Sequence, residues 1–140
     1  MNYLLDTHLI LWALVDDKRI DPFRTIIANP DNEIYFSAAS IWEIAIKHDK
    51  GNLSFAPDEV ETACLEQAYL PLGIKPKHAT ATSELEYPDD IAPHKDPFDR
   101  MLIAQAKTEG MILLTADEKI LKFNEYCIRK TPWTNDLHIL

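Results

Sequence analysis

Residues 96–114 constrain the fold of this chain more than any other segment. Asp96 is a typical N-cap residue, Pro97 suits the first helical position, and Gly110 follows where a helix would end, so a helix is predicted between them. The apolar run 111–114 is typical of a strand buried on both faces. A helix followed at once by such a strand favours an α/β fold with a parallel sheet.

The same alternation recurs along the rest of the chain. Strands are predicted at 3–5, 34–36, 69–72, 111–114 and 126–128. Further helices are predicted at 9–15, from Asp21-Pro22, from a Ser37 cap to Lys47 or His48, at 57–68, at 76–84 and after Asp117, with a loop at 87–95. The pattern predicts a three-layer α/β/α domain with a central, mostly parallel sheet of four to five strands, spanning residues 1–140 as a single domain.

Composition limits the setting in which this domain works. Apolar residues make up 46% of the 140 positions and charged residues 26%, which is typical of a globular chain. Cys64 and Cys127 lie far apart and form no C-x-x-C pair, which favours a reducing, cytoplasmic location. The apolar start at 3–15 is interrupted by polar residues and is too short for a membrane helix, so we predict neither a signal nor membrane insertion.

The net charge opposes broad binding of a nucleic acid backbone. There are 14 Lys and Arg against 23 Asp and Glu, for a formal charge of -9. A nucleic acid would have to bind through local cations, and those near the predicted site are Lys47, Lys50, His94, Lys95 and Arg100. The alternative is that these cations are simply solvated surface.

Two acids directly follow predicted strands, at the sheet edge where α/β proteins bind ligands. Asp6 follows the first strand and Asp117 follows the strand at 111–114. Each also has a structural explanation. Asp6 can cap the next helix, and Thr115-x-x-Glu118 resembles a capping box next to Asp117.

Two further acids lie in the first turns of predicted helices. Glu43 could instead complete a capping box with Ser40 or pair with Lys47 four residues on.

Asp96 and Asp99 are the N-cap and third residue of one helix, where the helix dipole stabilises anions. Asp99 would face the predicted site if Phe98 and Leu102 pack toward the sheet. Asp96 would then lie behind Asp99 and would not bind the ligand directly.

The joint pattern favours chemistry over four unrelated caps, since independent caps would include Ser, Thr and Asn as often as Asp. Four carboxylates on rigid elements suit Mg²⁺ or Mn²⁺, and no His or Cys cluster has zinc spacing. Such an ion could activate a water and stabilise a phosphate during in-line hydrolysis. The five histidines are dispersed, so no general base is assigned.

Four ordered blocks carry a family resemblance: YLLDTH at 3–8, SAASIWEIAIK at 37–47, HKDPFDRMLIAQA at 94–106 and LLTAD at 113–117. With these blocks the chain resembles the PIN domain family, and within it the VapC-type toxins of bacterial toxin–antitoxin pairs.

The resemblance implies that Asp6, Glu43, Asp99 and Asp117 bind the metal, with Thr7, Thr115 and Asp96 as polar neighbours. It implies Mg²⁺- or Mn²⁺-dependent cleavage of RNA, a homodimer, and inhibition by an antitoxin. Lys47, Arg100 and His94 are then the expected substrate contacts.

Other functions stay open on the sequence alone. In a Mg²⁺-dependent phosphatase or phosphoacceptor domain, Asp6 would be a covalent nucleophile, although a second Asp two residues on is missing. In a non-catalytic binding module the acids would serve only as helix caps. Cleavage of DNA in place of RNA is a further alternative.

Overall fold

The computed structural model describes residues 1–130, and the single-domain prediction for 1–140 therefore extends beyond the described residues. Its strands are β1 (Asn2–Leu5), β2 (Glu33–Ser37), β3 (Leu70–Leu72), β4 (Ile112–Leu114) and β5 (Ile128–Arg129). All neighbouring pairs are parallel, in the order β3-β2-β1-β4-β5. The predicted α/β class with a parallel sheet of four to five strands is confirmed.

The helices alternate with the strands as predicted. They are α1 (Thr7–Leu14), α2 (Arg24–Ala28), α3 (Ala38–Asp49), α4 (Pro57–Glu66), α5 (Pro76–Ala81), α6 (Pro97–Glu109) and α7 (Glu118–Leu121), with 3-10 helices at Lys18–Phe23 and Thr82–Glu84. Asp96 caps α6, and Gly110 ends it with a φ of 70°, a left-handed conformation that glycine adopts without strain.

Two local predictions were wrong. The helix does not begin at Asp21-Pro22, because Asp17 accepts a hydrogen bond from the Arg19 amide and starts a 3-10 helix that contains Pro22. The last strand does not include Tyr126, which is 82% exposed and lies before β5.

The sheet buries a separate core on each face because successive side chains of a strand point to opposite sides. Leu5 and Leu114 pack in one core with side chains from α1 to α4, while Leu4 and Leu113 pack in the other with side chains from α6 and α7. This arrangement gives the three layers that the sequence predicted. The free, buried Cys64 and Cys127 belong to different cores, so they cannot pair with each other.

The strand order reverses at β1, and this reversal positions the site. The chain moves outward from β1 to β2 and β3, then returns to β4 on the other side of β1. The Asp6 amide continues the ladder by donating to the Leu114 carbonyl at 3.1 Å. In open parallel sheets a crevice forms outside the carboxyl ends at such a switch point.

A charge cluster built around the buried His78 connects the start of α5 to the end of α6. The fully buried His78 accepts a hydrogen bond on Nδ1 from the Lys75 amide at 3.0 Å, so its Nε2 carries the proton and donates to Glu109 at 2.6 Å. Lys77 and Lys75 place their ammonium groups 3.1 and 3.9 Å from the same carboxylate. We refer to these four residues as the Glu109 cluster.

In the described part of the chain, no helix combines the length and apolar character required to span a membrane.

Candidate active site

The four predicted acids line one cavity of about 170 Å³ at the carboxyl edge of the sheet. They come from four separate places: Asp6 follows β1, Glu43 lies in α3, Asp99 in α6, and Asp117 follows β4. The rest of the lining is Thr7, His8, Lys47, His94, Asp96, Lys119 and Ile120. We call this the acidic cavity.

Asp6 is held at the centre of this edge. Its side chain is only 3% exposed, and it accepts hydrogen bonds from the Leu9 amide at 2.8 Å and from the Thr115 hydroxyl. The cap predicted as an alternative to a functional role is therefore present. The same carboxylate lines the cavity, so capping and facing the site are compatible.

Glu43 is fixed by a buried hydroxyl network. The Thr7 hydroxyl donates to Glu43 Oε1 at 2.8 Å and lies 2.9 Å from the fully buried Ser40 hydroxyl. Lys47 lies 3.1 Å from the other Glu43 oxygen, which is the i,i+4 pair expected from the sequence. The Ser40–Glu43 capping box is wrong, because Ser37 caps α3 through the Ala39 amide at 3.0 Å.

Asp96 and Asp99 have different partners at the start of α6. Asp96 accepts a hydrogen bond from the Asp99 amide at 2.9 Å, while Asp99 Oδ2 lies 2.7 Å from His94 Nε2. Leu102 is fully buried in the core as expected. Phe98 differs, because it packs edge-on against the exposed Trp42 at 5.1 Å and not toward the sheet.

Asp117, like Asp99, is only partly buried. It caps α7 by accepting a hydrogen bond from the Lys119 amide at 2.8 Å, and its own amide donates to Thr115 Oγ1 at 3.0 Å. The Thr115–Glu118 capping box is therefore wrong, since Asp117 itself is the N-cap. Thr115 instead joins Asp117 to Asp6.

The acids influence one another electrostatically. Burial is the main cause that raises the pKa of Asp99 to about 6; the His94 hydrogen bond opposes this shift, and the charges of Asp96, Glu43 and Asp117 add to it. Burial also raises the pKa of Asp6, against its hydrogen bonds from Thr115 and Leu9. Negative charge is therefore concentrated in a poorly solvated site.

The predicted substrate contacts are distributed unevenly. Lys47 and His94 line the cavity, whereas Lys50, Lys95 and Arg100 do not. The Arg100 guanidinium donates to the carbonyls of Thr82 at 2.8 Å and His94 at 3.1 Å, so it holds the loop before α6. Its substrate role stays a prediction.

Sequence reasoning missed two nitrogen-bearing side chains of the cavity, those of His8 and Lys119. Each lies two residues after a site acid, Asp6 or Asp117. The rule that identified the acids at strand ends would have found both residues if it had been extended by two positions.

The donor chemistry of the cavity fits a hard divalent cation, because carboxylate oxygens are the ligands that Mg²⁺ and Mn²⁺ prefer. Burial raises the pKa values of Asp6 and Asp99, and acids perturbed in this way are typical of functional sites. Within residues 1–130, no three His, Cys, Asp or Glu side chains are already grouped so that they could hold one metal ion. The acids instead hydrogen-bond to protein groups, so binding an ion requires some of those partners to be exchanged.

The PIN domain family model matches residues 3–126. With the parallel sheet and the acids at its switch point, this match establishes that the chain belongs to the PIN domain family. No curated protein matches the sequence significantly.

Two solved structures share the fold. The first is a chain of VapBC2 from Rickettsia felis bound to a DNA fragment from their promoter, with a TM-score of 0.66 and 16% identity over 92% of this chain and 98% of that chain. The second is a chain of VapBC-1 from nontypeable Haemophilus influenzae, with a TM-score of 0.55 and 18% identity over 86% of this chain and 90% of that chain. At these identities the likeness concerns the fold.

Proposed function

We propose that this protein is a Mg²⁺- or Mn²⁺-dependent endoribonuclease that hydrolyses RNA phosphodiester bonds in the cytoplasm as the toxin of a VapC-type toxin–antitoxin pair. The observation that carries the proposal is the acidic cavity, in which four acids from four separate elements face one space. Membership of the PIN domain family and the fold shared with VapBC chains support it.

Asp6, Glu43, Asp99 and Asp117 would hold the ion. When bound, it would supply an activated water and stabilise charge on the phosphate and its leaving oxygen. Thr115 and Thr7 orient Asp6 and Glu43 through hydrogen bonds that leave carboxylate lone pairs free for the ion. Asp96 fixes the helix turn that carries Asp99.

Lys47 and His94 act as exchangeable partners of the acids. Lys47 pairs with Glu43, and His94 pairs with Asp99. With Glu43 and Asp99 holding the ion, Lys47 and His94 would be free to contact the substrate phosphate at the rim of the cavity. This exchange reconciles the present pairs with metal binding.

The proposed partners are RNA, a cognate antitoxin and a second copy of the chain. The fold shared with chains of two VapBC complexes supports the antitoxin. Co-expression with the neighbouring open reading frame, followed by purification and light scattering, would test both the antitoxin and the homodimer.

The first experiment incubates the purified chain with a pool of structured RNA and, in parallel, DNA, in Mg²⁺, Mn²⁺ or EDTA. We expect discrete RNA cleavage that requires the ion. Asp99→Asn should lower the rate on the order of a hundredfold or more. It removes a carboxylate that would hold the ion, and the ion would stabilise the charge that develops on the phosphate. Asp31→Asn is the matched control, since this exposed acid precedes β2 at the other end of the strands. Cleavage retained in Asp99→Asn or in EDTA would contradict the proposal.

The phosphoacceptor alternative receives no support from the residues next to Asp6. His8 stands two residues after it, where a phosphatase of that kind would have a second Asp. An aspartyl-phosphate trapped by beryllium fluoride would reverse that conclusion.

A further inference from the structure

A second cavity of about 180 Å³ adjoins the acidic cavity. It is lined by Asp6, His8, Trp12, Arg19, Ala116 and Asp117. Asp6, His8 and Asp117 line both cavities, so the two spaces share a wall. The indole of Trp12 and the guanidinium of Arg19 have no part in the proposed hydrolysis. We call this space the Trp12 cavity.

Arg19 is held rigidly although it is exposed. Its guanidinium carbon lies 4.6 Å from the centre of the Trp12 ring. Asp17 accepts hydrogen bonds from Arg19 Nε at 3.1 Å and Nη2 at 2.8 Å, and also from its backbone amide at 2.9 Å. The Arg19 side chain is nonetheless 65% exposed. A guanidinium fixed in this way loses little conformational freedom when a ligand binds.

The surroundings of Arg19 suit a nucleobase better than a phosphate. Asp17 already neutralises its charge, so the attraction to a phosphate is weakened. The guanidinium plane, supported from behind by Trp12, still offers a flat surface of the kind on which unpaired bases stack. The exposed His8, whose ring centre lies 6.0 Å from that of Trp12, adds a second ring at the shared wall.

The charge of the chain makes such a surface useful. At a net charge of -9, general attraction to a phosphate backbone is unfavourable. Stacking does not depend on net charge and tolerates any base sequence. A stacked base beside the acidic cavity would hold an anionic substrate where charge alone would not.

We propose that Arg19, supported by Trp12 and flanked by His8, binds one unpaired base next to the scissile phosphate of single-stranded RNA. The inference rests on the proposed function and specifies its substrate as single-stranded, because a base inside a duplex cannot expose its face. Arg19 contacts the base, and Trp12 is a positioning residue that holds the Arg19 plane.

The test compares Arg19→Gln with Lys18→Gln, which removes the same charge from the neighbouring exposed position. Both are placed in an Asp99→Asn chain in EDTA, where no cleavage interferes. Fluorescence anisotropy measures the affinity for a short single-stranded RNA and for an abasic oligomer with the same number of phosphates. Arg19→Gln is expected to weaken RNA binding about fivefold to a hundredfold and to leave the abasic oligomer unchanged. Lys18→Gln should change both affinities equally.

Trp12 variants provide an independent readout. Trp12→Leu keeps an apolar side chain against the core but loses the ring, while Trp12→Phe keeps a ring. We expect Trp12→Leu to lose base-dependent affinity and Trp12→Phe to recover most of it, with thermal melting used to verify that both variants fold. If Trp12→Phe and Trp12→Leu bind RNA equally well, Trp12 does not position Arg19 through its ring.

The outcomes separate the subsite from the nuclease. Equal losses for RNA and the abasic oligomer, no loss in Arg19→Gln, or no binding of either oligomer would overturn the stacking subsite whatever the wild-type chain cleaves. A base-dependent loss without any metal-dependent cleavage by wild type would keep the subsite and overturn the proposed function.

Discussion

The Glu109 cluster and the acidic cavity hold carboxylates in two different ways. In the Glu109 cluster one carboxylate meets three nitrogen groups within 3.9 Å. In the acidic cavity five carboxylates face only two lysines and two histidines. The pKa of Glu109 is lowered, first by the His78 hydrogen bond, whereas burial raises that of Asp99 to about 6.

The difference separates structural from functional charge. A compensated carboxylate stabilises the fold because its charged form is favoured in the native state. Uncompensated carboxylates cost stability until a cation arrives, which is typical of sites retained for chemistry.

Removing the buried imidazole should damage the compensated cluster most. His78→Leu has similar volume but leaves the Lys75 amide and Glu109 without their buried partner, so we expect a loss of about 2–4 kcal/mol in the free energy of unfolding. Urea denaturation measures it. Unchanged stability would mean that the cluster does not hold α5 to α6. RNA cleavage by His78→Leu should stay normal at a temperature at which the variant is folded.

A divalent ion should stabilise the folded protein by binding in the acidic cavity and not at the Glu109 cluster. An ion at a hundred times its Kd raises the free energy of unfolding by about 2.7 kcal/mol. Thermal melting with and without Mn²⁺ should show this gain in wild type and in Glu109→Gln, and a much smaller gain in Asp99→Asn. An equal gain in all three chains would place the ion elsewhere.

A change of pH should change the stability contributions of Asp99 and Glu109 in opposite directions. The folded pKa of Asp99, about 6, lies above its ordinary 3.8, so its contribution to stability is complete below about pH 4 and is lost as pH rises through 6. In EDTA, wild type should therefore lose on the order of 1–2 kcal/mol more than Asp99→Asn between pH 4 and 7. Parallel pH profiles of the two chains would argue against a raised Asp99 pKa. The lowered pKa of Glu109 acts with the opposite sign, since its contribution is lost as pH falls below its ordinary 4.5.

The exposed ion pair between Lys77 and Glu109 should contribute little to stability. The Lys77 side chain is 54% exposed, so its ion pair with Glu109 is screened by water and salt. Lys77→Gln should cost about 0.5 kcal/mol or less in urea denaturation. A larger loss would show that the ion pair, and not the buried imidazole, holds the cluster together.

Periodicity and helix punctuation predicted most of the fold because local signals agreed with the tertiary structure. Asp96, Pro97 and Gly110 delimit α6 as their chemistry requires. The failure at Asp21-Pro22 has a local reason: Asp17, four residues earlier, caps the chain first, and a 3-10 helix tolerates the proline. Capping-box patterns failed at Ser40 and Thr115 because a residue nearby already served as the cap.

The sequence predicted that Asp6, Glu43, Asp99 and Asp117 meet at one edge of the sheet, because parallel strands end at the same edge, and the four acids do line one cavity. Their role as metal ligands stays a prediction, and the hydrogen bonds that connect them were not predicted. The hydroxyl network of Thr7, Ser40 and Glu43 joins residues more than thirty positions apart and depends on how α3 packs beside α1. Nothing in local sequence encodes that packing.

The pairing of β1 with β4 also determines when the four acids can come together during synthesis. Asp6 and Thr115, which meet across these strands, are separated by 109 positions. During translation Asp6 and Glu43 emerge early, yet the four-acid set cannot assemble until Asp117 has left the ribosome. A ribonuclease built in this order would gain its fourth acid only after residues 1–116 had been synthesised, so earlier nascent chains could not attack the messenger that encodes them.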